Sequence, residues 1–239
     1  MYYLMMPLDQ HFDLGFGAVA NSFKSAGDLV FAPGADAIFL NHHLPASFLY
    51  RHAIELYLKS AIVIFHRKFK LPFGPSPFDG EPQVRIGGKW KQMRNVHALG
   101  ELYPYFRSLF DDHASYLKTN TNTDWSFPPE LDKWVSEIEA MDSSSTFFRY
   151  PMTKHRDSDK AKSVMKEDTP LGIVERMAAG KKRETGVKAL FLLDENDGVT
   201  QAFHHDDKSA QAILDILKRT SELLYGCHAA MRGELTGGR

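Results

Sequence analysis

Arg51, His52, Glu55 and Lys59 bring cationic, imidazole and carboxylate side chains together within the segment 47–70, SFLYRHAIELYLKSAIVIFHRKFK. Advancing about 100° per residue on a helix, they and His66 fall on one stripe, about a third of the circle wide and centred near Phe48. An Arg and a Lys bind an anion, and a His moves a proton near neutral pH. Glu55, four residues from each cation, orients both. The alternative is that the stripe is the solvent window of an otherwise buried helix, its i,i+4 pairs worth a few tenths of a kcal/mol. These residues alone leave both readings open.

Other polar groupings carry less chemistry. His204-His205-Asp206-Asp207 consists of neighbours that rarely converge on one ion, and no second ligand spacing supports it. A turn with Asp206 or Asp207 capping the next helix is expected instead, and no metal site. His42-His43 reads as a turn before Pro45. Gly15-Phe16-Gly17 and Gly87-Gly88-Lys89 do not match the phosphate-loop pattern. No G-x-S-x-G nucleophile elbow is present. Cys227 is the single cysteine, which excludes an internal disulfide, and its apolar surroundings in sequence mark it as structural.

The elements that must position the stripe follow from hydrophobic spacing. Residues 47–70 are apolar around most of the circumference, whereas a surface helix carries a limited apolar stripe, so this helix is expected at the centre of the fold. Pro45 suits its first turn. Residues 9–31 have helical spacing (Phe12, Phe16, Val19, Phe23), with glycines that weaken it or allow close packing, and end at Pro33-Gly34. A short apolar run, 37–40, follows.

Residues 71–82 are a Pro- and Gly-rich loop, and 84–91 a small hairpin around Gly87-Gly88. A helix is expected over 97–118, kinked near Pro104 and capped by Asn95, and another over 129–141. Phe147-Phe148-Arg149-Tyr150-Pro151 reads as extended, since proline holds Tyr150 out of the α region. Residues 153–170 are charged and read as an exposed insertion. A short helix follows over 171–179. The run 187–193 is ambiguous between strand and helix, 196–198 is a turn, and a last strong helix covers 208–232.

Composition narrows the class. The 239 residues carry 29 basic and 30 acidic side chains, which argues against a bulk electrostatic nucleic-acid binder but leaves a local basic groove open. Neither a signal-peptide pattern nor an apolar stretch of membrane-spanning length occurs. A cytoplasmic protein is expected.

The helix HAIELYLKS, with a later His-Ala-Leu (His97) opening the next helix and the segment Phe148-Arg149-Tyr150-Pro151, resembles the HEPN superfamily. The likeness covers about residues 40–152. It implies an α-helical bundle, often dimeric, linked to RNA or nucleotide handling in bacterial defence or toxin–antitoxin systems. It also implies, in catalytic members, an R-x(4–6)-H motif that cuts RNA without metal, Arg stabilising the phosphorane and His transferring a proton. The central helix lacks a His at that distance from Arg51. Arg107 with His113, and Arg149 with His155, fit the spacing. On a straight helix the first pair lies about 120° apart and converges only if the helix bends near Asp111-Asp112. The second flanks Pro151. The bland alternatives are a solvated helix face for Arg107 and His113, and an anchoring ion pair from Arg149 to a buried carboxylate, with Glu55 the candidate.

The expectation is therefore a mainly α protein, one HEPN-like domain over 1–239, a bundle of about five longer helices with a small β-hairpin and irregular insertions. Its ligand site would be lined by Arg51, His52, Glu55, Lys59, His97 and Tyr150, with RNA or a nucleotide as ligand and no cofactor. If an enzyme, it would be a metal-independent endoribonuclease. Expected partners are a second copy and a cognate antitoxin. The competing reading is a non-catalytic helical interaction module whose stripe is structural.

Overall fold

The computed structural model describes residues 2–31, 41–153, 156–179 and 188–238. The protein is mainly α. At its centre is α3, His43–Phe69, with Pro45 in its first turn. Tyr50, Ile54, Leu58, Ile62 and Phe65 on this helix are fully buried. These five share one side of the axis, and Val63 and Ile64, 0% and 1% exposed, point to the other sides, so the helix is buried around its circumference. The helix stops at Lys70, whose φ of 53° is left-handed, with Leu71 N–H donating to the His66 carbonyl at 2.8 Å. His66, Arg67 and Lys68 fill the last turn, where cations complement the helix dipole.

Around α3 pack α2 (Phe16–Val30), α4 (Leu99–Asp112) and α9 (Lys208–Leu235), and α6 (Glu130–Asp142) bridges α4 and α9. The N-terminus adds the short α1 (Tyr2–Met5). Gly17 on α2 lets the helices close in, because a Cβ there would sit 2.1 Å from His228 Cε1 on α9. The glycines in the helical pattern over 9–31 thus serve close packing, and helix proper begins only after Asp13 and Gly15.

The hairpin is β1 (Gln83–Ile86) with β2 (Lys89–Gln92), antiparallel. Gly87 and Gly88 both take positive φ, 54° and 81°, as a tight two-residue turn demands. The long helix expected over 97–118 is divided, but at His113 rather than at Pro104. Pro104 is accommodated inside α4, and α5 (Ala114–Asn120) restarts beyond His113. Asn95 does not cap α4. Its amide bonds Gln92, and Ala98 holds the N-cap position without a side-chain bond.

A second sheet was not foreseen. It joins β3 (Met165–Asp168), β5 (Val199–His205) and β4 (Ala189–Leu193), antiparallel in the order β3-β5-β4. Of the ambiguous run 187–193, Ala189–Leu193 is therefore strand, and α8 (Pro170–Ala179) packs on β5. Residues 153–170 supply β3 and the short α7 (Arg156–Lys160). Much of this stretch is exposed, but Lys162 and Val164 are buried. Lys162 Nζ donates to the Tyr150 carbonyl at 2.8 Å and meets Asp159 at 2.6 Å. Its own carbonyl accepts from His43 Nε2 at 2.8 Å, so His43 is an anchor. The apolar run 37–40 lies outside the described residues. Among the described residues no helix is long and apolar enough to cross a membrane.

Candidate functional site

The stripe on α3 is sealed. Arg51, Glu55 and Lys59 are 1%, 1% and 3% exposed, so the solvent-window reading fails along with the open groove. Glu55 is the hub. Its Oε2 accepts from Arg51 Nη1 at 3.1 Å, and its Oε1 accepts from Lys59 Nζ at 2.7 Å and His97 Nδ1 at 3.0 Å. Arg51 Nη2 also donates to the His97 carbonyl at 2.6 Å. Arg51 Nε faces Asp142 Oδ2 at 4.0 Å, an ion-pair distance too long for a hydrogen bond. Asp142 is buried at the end of α6, and its Oδ1 takes the backbone N–H groups of Thr146 and Phe147 at 2.7 and 2.9 Å. Two cations thus face two carboxylates, which is the condition for burying charge. Burial opposes ionisation of Glu55, but Lys59, Arg51 and His97 outweigh it and hold the carboxyl below its ordinary range.

His97 is the edge of this cluster, its side chain half exposed. His66, at the far end of the stripe, belongs to the core. Its Nδ1 donates to the Leu71 carbonyl at 2.9 Å and its Nε2 accepts from Tyr105 Oη at 2.8 Å, the pattern of a neutral imidazole.

Arg149 does not pair with Glu55. It is exposed and lies over the Phe48 ring at 5.4 Å. Phe48 stacks on His52, which also meets Phe23 edge-on. Burial, the main cause, lowers the His52 pKa and keeps the imidazole neutral, and its Nδ1 is buried without a hydrogen bond. The segment 147–150 is wound into a turn rather than extended, because Thr146 O accepts from both Arg149 N and Tyr150 N. Tyr150 is exposed and contributes its carbonyl to Lys162, not its ring to a site. His155 lies outside the described residues.

Arg107 and His113 are held by different neighbours. Arg107 Nη1 donates to Tyr103 Oη and Asp132 Oδ1, both at 2.9 Å, and its guanidinium lies over Phe127. His113 stacks on Phe69 of α3 at 4.0 Å and donates through Nδ1 to the Leu109 carbonyl at 2.8 Å. The break at His113 therefore does not bring the pair to one substrate. Arg107 instead lines an open groove of about 620 Å³ with Lys118, Trp125 and Phe127, beside Asp111 and Asp124.

A second buried polar chain had no sequence signal beyond the Gly15-Phe16-Gly17 spacing. Ser60 Oγ donates to Asp13 Oδ2 at 2.5 Å and stands 3.1 Å from His228 Nδ1, and His228 Nε2 stands 3.1 Å from Tyr3 Oη. One proton arrangement satisfies all four: Tyr3 O–H to Nε2, Nδ1–H to Ser60, Ser60 O–H to Asp13. Asp13 also accepts from Gly15 N and Gly17 N at 3.1 and 2.7 Å. The residue types match a nucleophilic triad, but the order does not. Serine gives its proton to the carboxylate, not to the imidazole, and Ser60 is 0% exposed. This chain ties α1, the α2 start, α3 and α9 together.

His204 stands 2.9 Å from Asp168 Oδ2, which also holds Arg176. Asp206, not Asp207, reaches the start of α9, its Oδ1 accepting from Lys208 N at 3.3 Å. Among the described residues no group of three His, Cys, Asp or Glu side chains is placed to hold a metal. Burial pushes the Cys227 thiol up to about 12, away from reactivity.

No family model, curated protein or solved structure matches the chain.

Proposed function

We propose that this chain is a HEPN-like bundle of about five longer helices that works by association rather than by catalysis, its charged stripe serving as an internal brace. The observation that carries this reading is the closure of Arg51, Glu55 and Lys59 on one another, on His97 and beside Asp142. A binding site for an anion needs cations with unspent donors facing solvent, and these face Glu55. The separate attachments of Arg107 and His113 support the same reading.

A second reading, an RNA- or nucleotide-engaging protein of bacterial defence or a toxin–antitoxin pair, is favoured by one feature. The groove at Arg107 sets two cations, Arg107 and Lys118, beside Trp125 and Phe127, the combination on which single-stranded bases stack. Asp111 and Asp124 in the same groove cancel its charge, which ranks this reading second.

Purified protein of these 239 residues mixed with labelled single-stranded RNA separates the two. No cleavage and no salt-sensitive binding are expected. Cleavage abolished by Arg149→Ala with His155→Ala, or by Arg107→Ala with His113→Ala, overturns the association reading. Binding without cleavage, lost on Lys118→Ala, moves the second reading to first.

A further inference from the structure

The most anomalous surface of the molecule is β4. Among the described residues it is an edge strand, its sequence ALFLL is wholly apolar, and every one of its residues is exposed. Leu190, Phe191, Leu192 and Leu193 keep 48%, 40%, 42% and 55% of their surface. Edge strands are ordinarily protected by charge, proline or cover, since their free N–H and C=O groups accept another strand. The irregularity in its pairing does not blunt the edge. The extra residue, Thr200, is on β5, between the Leu192–Gln201 and Leu193–Val199 pairs.

We infer that β4 is a self-association edge: two copies of the chain pair antiparallel through Ala189–Leu193 about a two-fold axis at Phe191. Backbone parity, symmetry and charge each support a second copy of this chain as the occupant. The N–H of His205 donates to the Lys188 carbonyl at 2.9 Å, and Thr200 Oγ1 donates to the Leu192 carbonyl at 3.0 Å. Residues 188, 190 and 192 therefore turn their backbone groups toward β5. By alternation, those of Ala189, Phe191 and Leu193 face the free edge. A two-fold axis at Phe191 sets Phe191 against Phe191 and Ala189 against Leu193 on both sides, so each outward N–H and C=O meets its complement. The same register sets Lys188 of each copy against Asp194 of the other, a cross-strand pair of opposite charge at both ends. Both residues are exposed, and Asp194 uses Oδ1 to hold the 196–198 turn. A parallel arrangement would instead oppose like charges. Such a self-complementary patch is the form a closed dimer requires.

This inference rests on the association reading but is tested apart from it. The mass of the full chain in solution is measured by light scattering after size exclusion, across the micromolar range. Twice the chain mass is expected. Phe191→Lys places like charges on the axis and removes buried apolar area, and is expected to weaken the dimer about tenfold or more. Phe191 is 40% exposed, so the variant keeps the fold, which far-ultraviolet circular dichroism verifies. Phe191→Cys is expected to oxidise to a covalent dimer, since residues of a hydrogen-bonded antiparallel pair have Cα atoms about 5.5 Å apart, within disulfide reach. Leu29→Cys, 77% exposed on α2, is the control that does not cross-link. A monomer throughout, or a dimer that survives Phe191→Lys and fails to cross-link at 191, overturns the inference. The latter leaves association standing through another face. RNA cleavage overturns the association reading whatever the mass.

Discussion

Glu55 shows how a charged residue is made safe in a core. A buried carboxylate alone costs several kcal/mol, and the cost is met only when every lone pair finds a partner of the right charge. Here Arg51, Lys59 and His97 supply those partners from α3 and from the approach to α4. Asp142, from the end of α6, balances the second cation. The spacing of Arg51, Glu55 and Lys59 announced mutual pairing, and His97 was singled out in sequence. Asp142 was not, because nothing local distinguishes a helix-ending aspartate whose target lies on another helix. Whether the stripe opened to solvent was equally illegible, since its cover comes from segments distant in the chain.

At the scale of elements, α3 was legible because its apolar residues surround the axis, and α6 and α9 because theirs keep to one side. The hairpin was legible from Gly87-Gly88. The sheet β3-β5-β4 was not. β3 reads MKED and β5 reads VTQAFHH, neither with the alternation of a half-buried strand, and each finds its partner across intervening residues. The helix break was misplaced because Pro104, inside α4, forfeits one backbone bond without ending the helix, while His113 is drawn out of line by its stack on Phe69. Element packing also yields a prediction. Gly17→Ala would put a methyl group 2.1 Å from His228 Cε1 and 2.7 Å from Asp13 Oδ2. The expected destabilisation is about 1–3 kcal/mol, read from urea unfolding, together with loss of the Tyr3–His228 contact and fraying of α1.

For the molecule as a whole, four histidines among the described residues are held neutral by the fold and weaken it in acid. His43, His52, His66 and His228 all have pKa values lowered, in each case chiefly by burial. They are neutral when folded, whereas the unfolded chain takes up protons near pH 6.5. The unfolded state therefore binds more protons as pH falls below about 6.5, and stability falls with it. Glu55 acts in the same direction at lower pH. Its folded pKa is depressed, so its contribution is full above about 4.5 and is lost as pH falls through the folded value. The urea midpoint is thus expected to drop steadily from pH 7.5 to pH 5, and the drop to be shallower in His228→Gln. A flat profile would mean that the imidazoles reach water in the folded state.

The central claim, that the charged cluster braces the fold rather than serving a ligand, is tested most directly by the unfolding free energy of Glu55→Ala at pH 7. The substitution leaves Arg51 and Lys59 buried without their counter-ion, and the expected loss is about 3–5 kcal/mol. A change within about 0.5 kcal/mol, the size seen at ordinary surface positions, would contradict it and return the stripe to candidacy as a binding site.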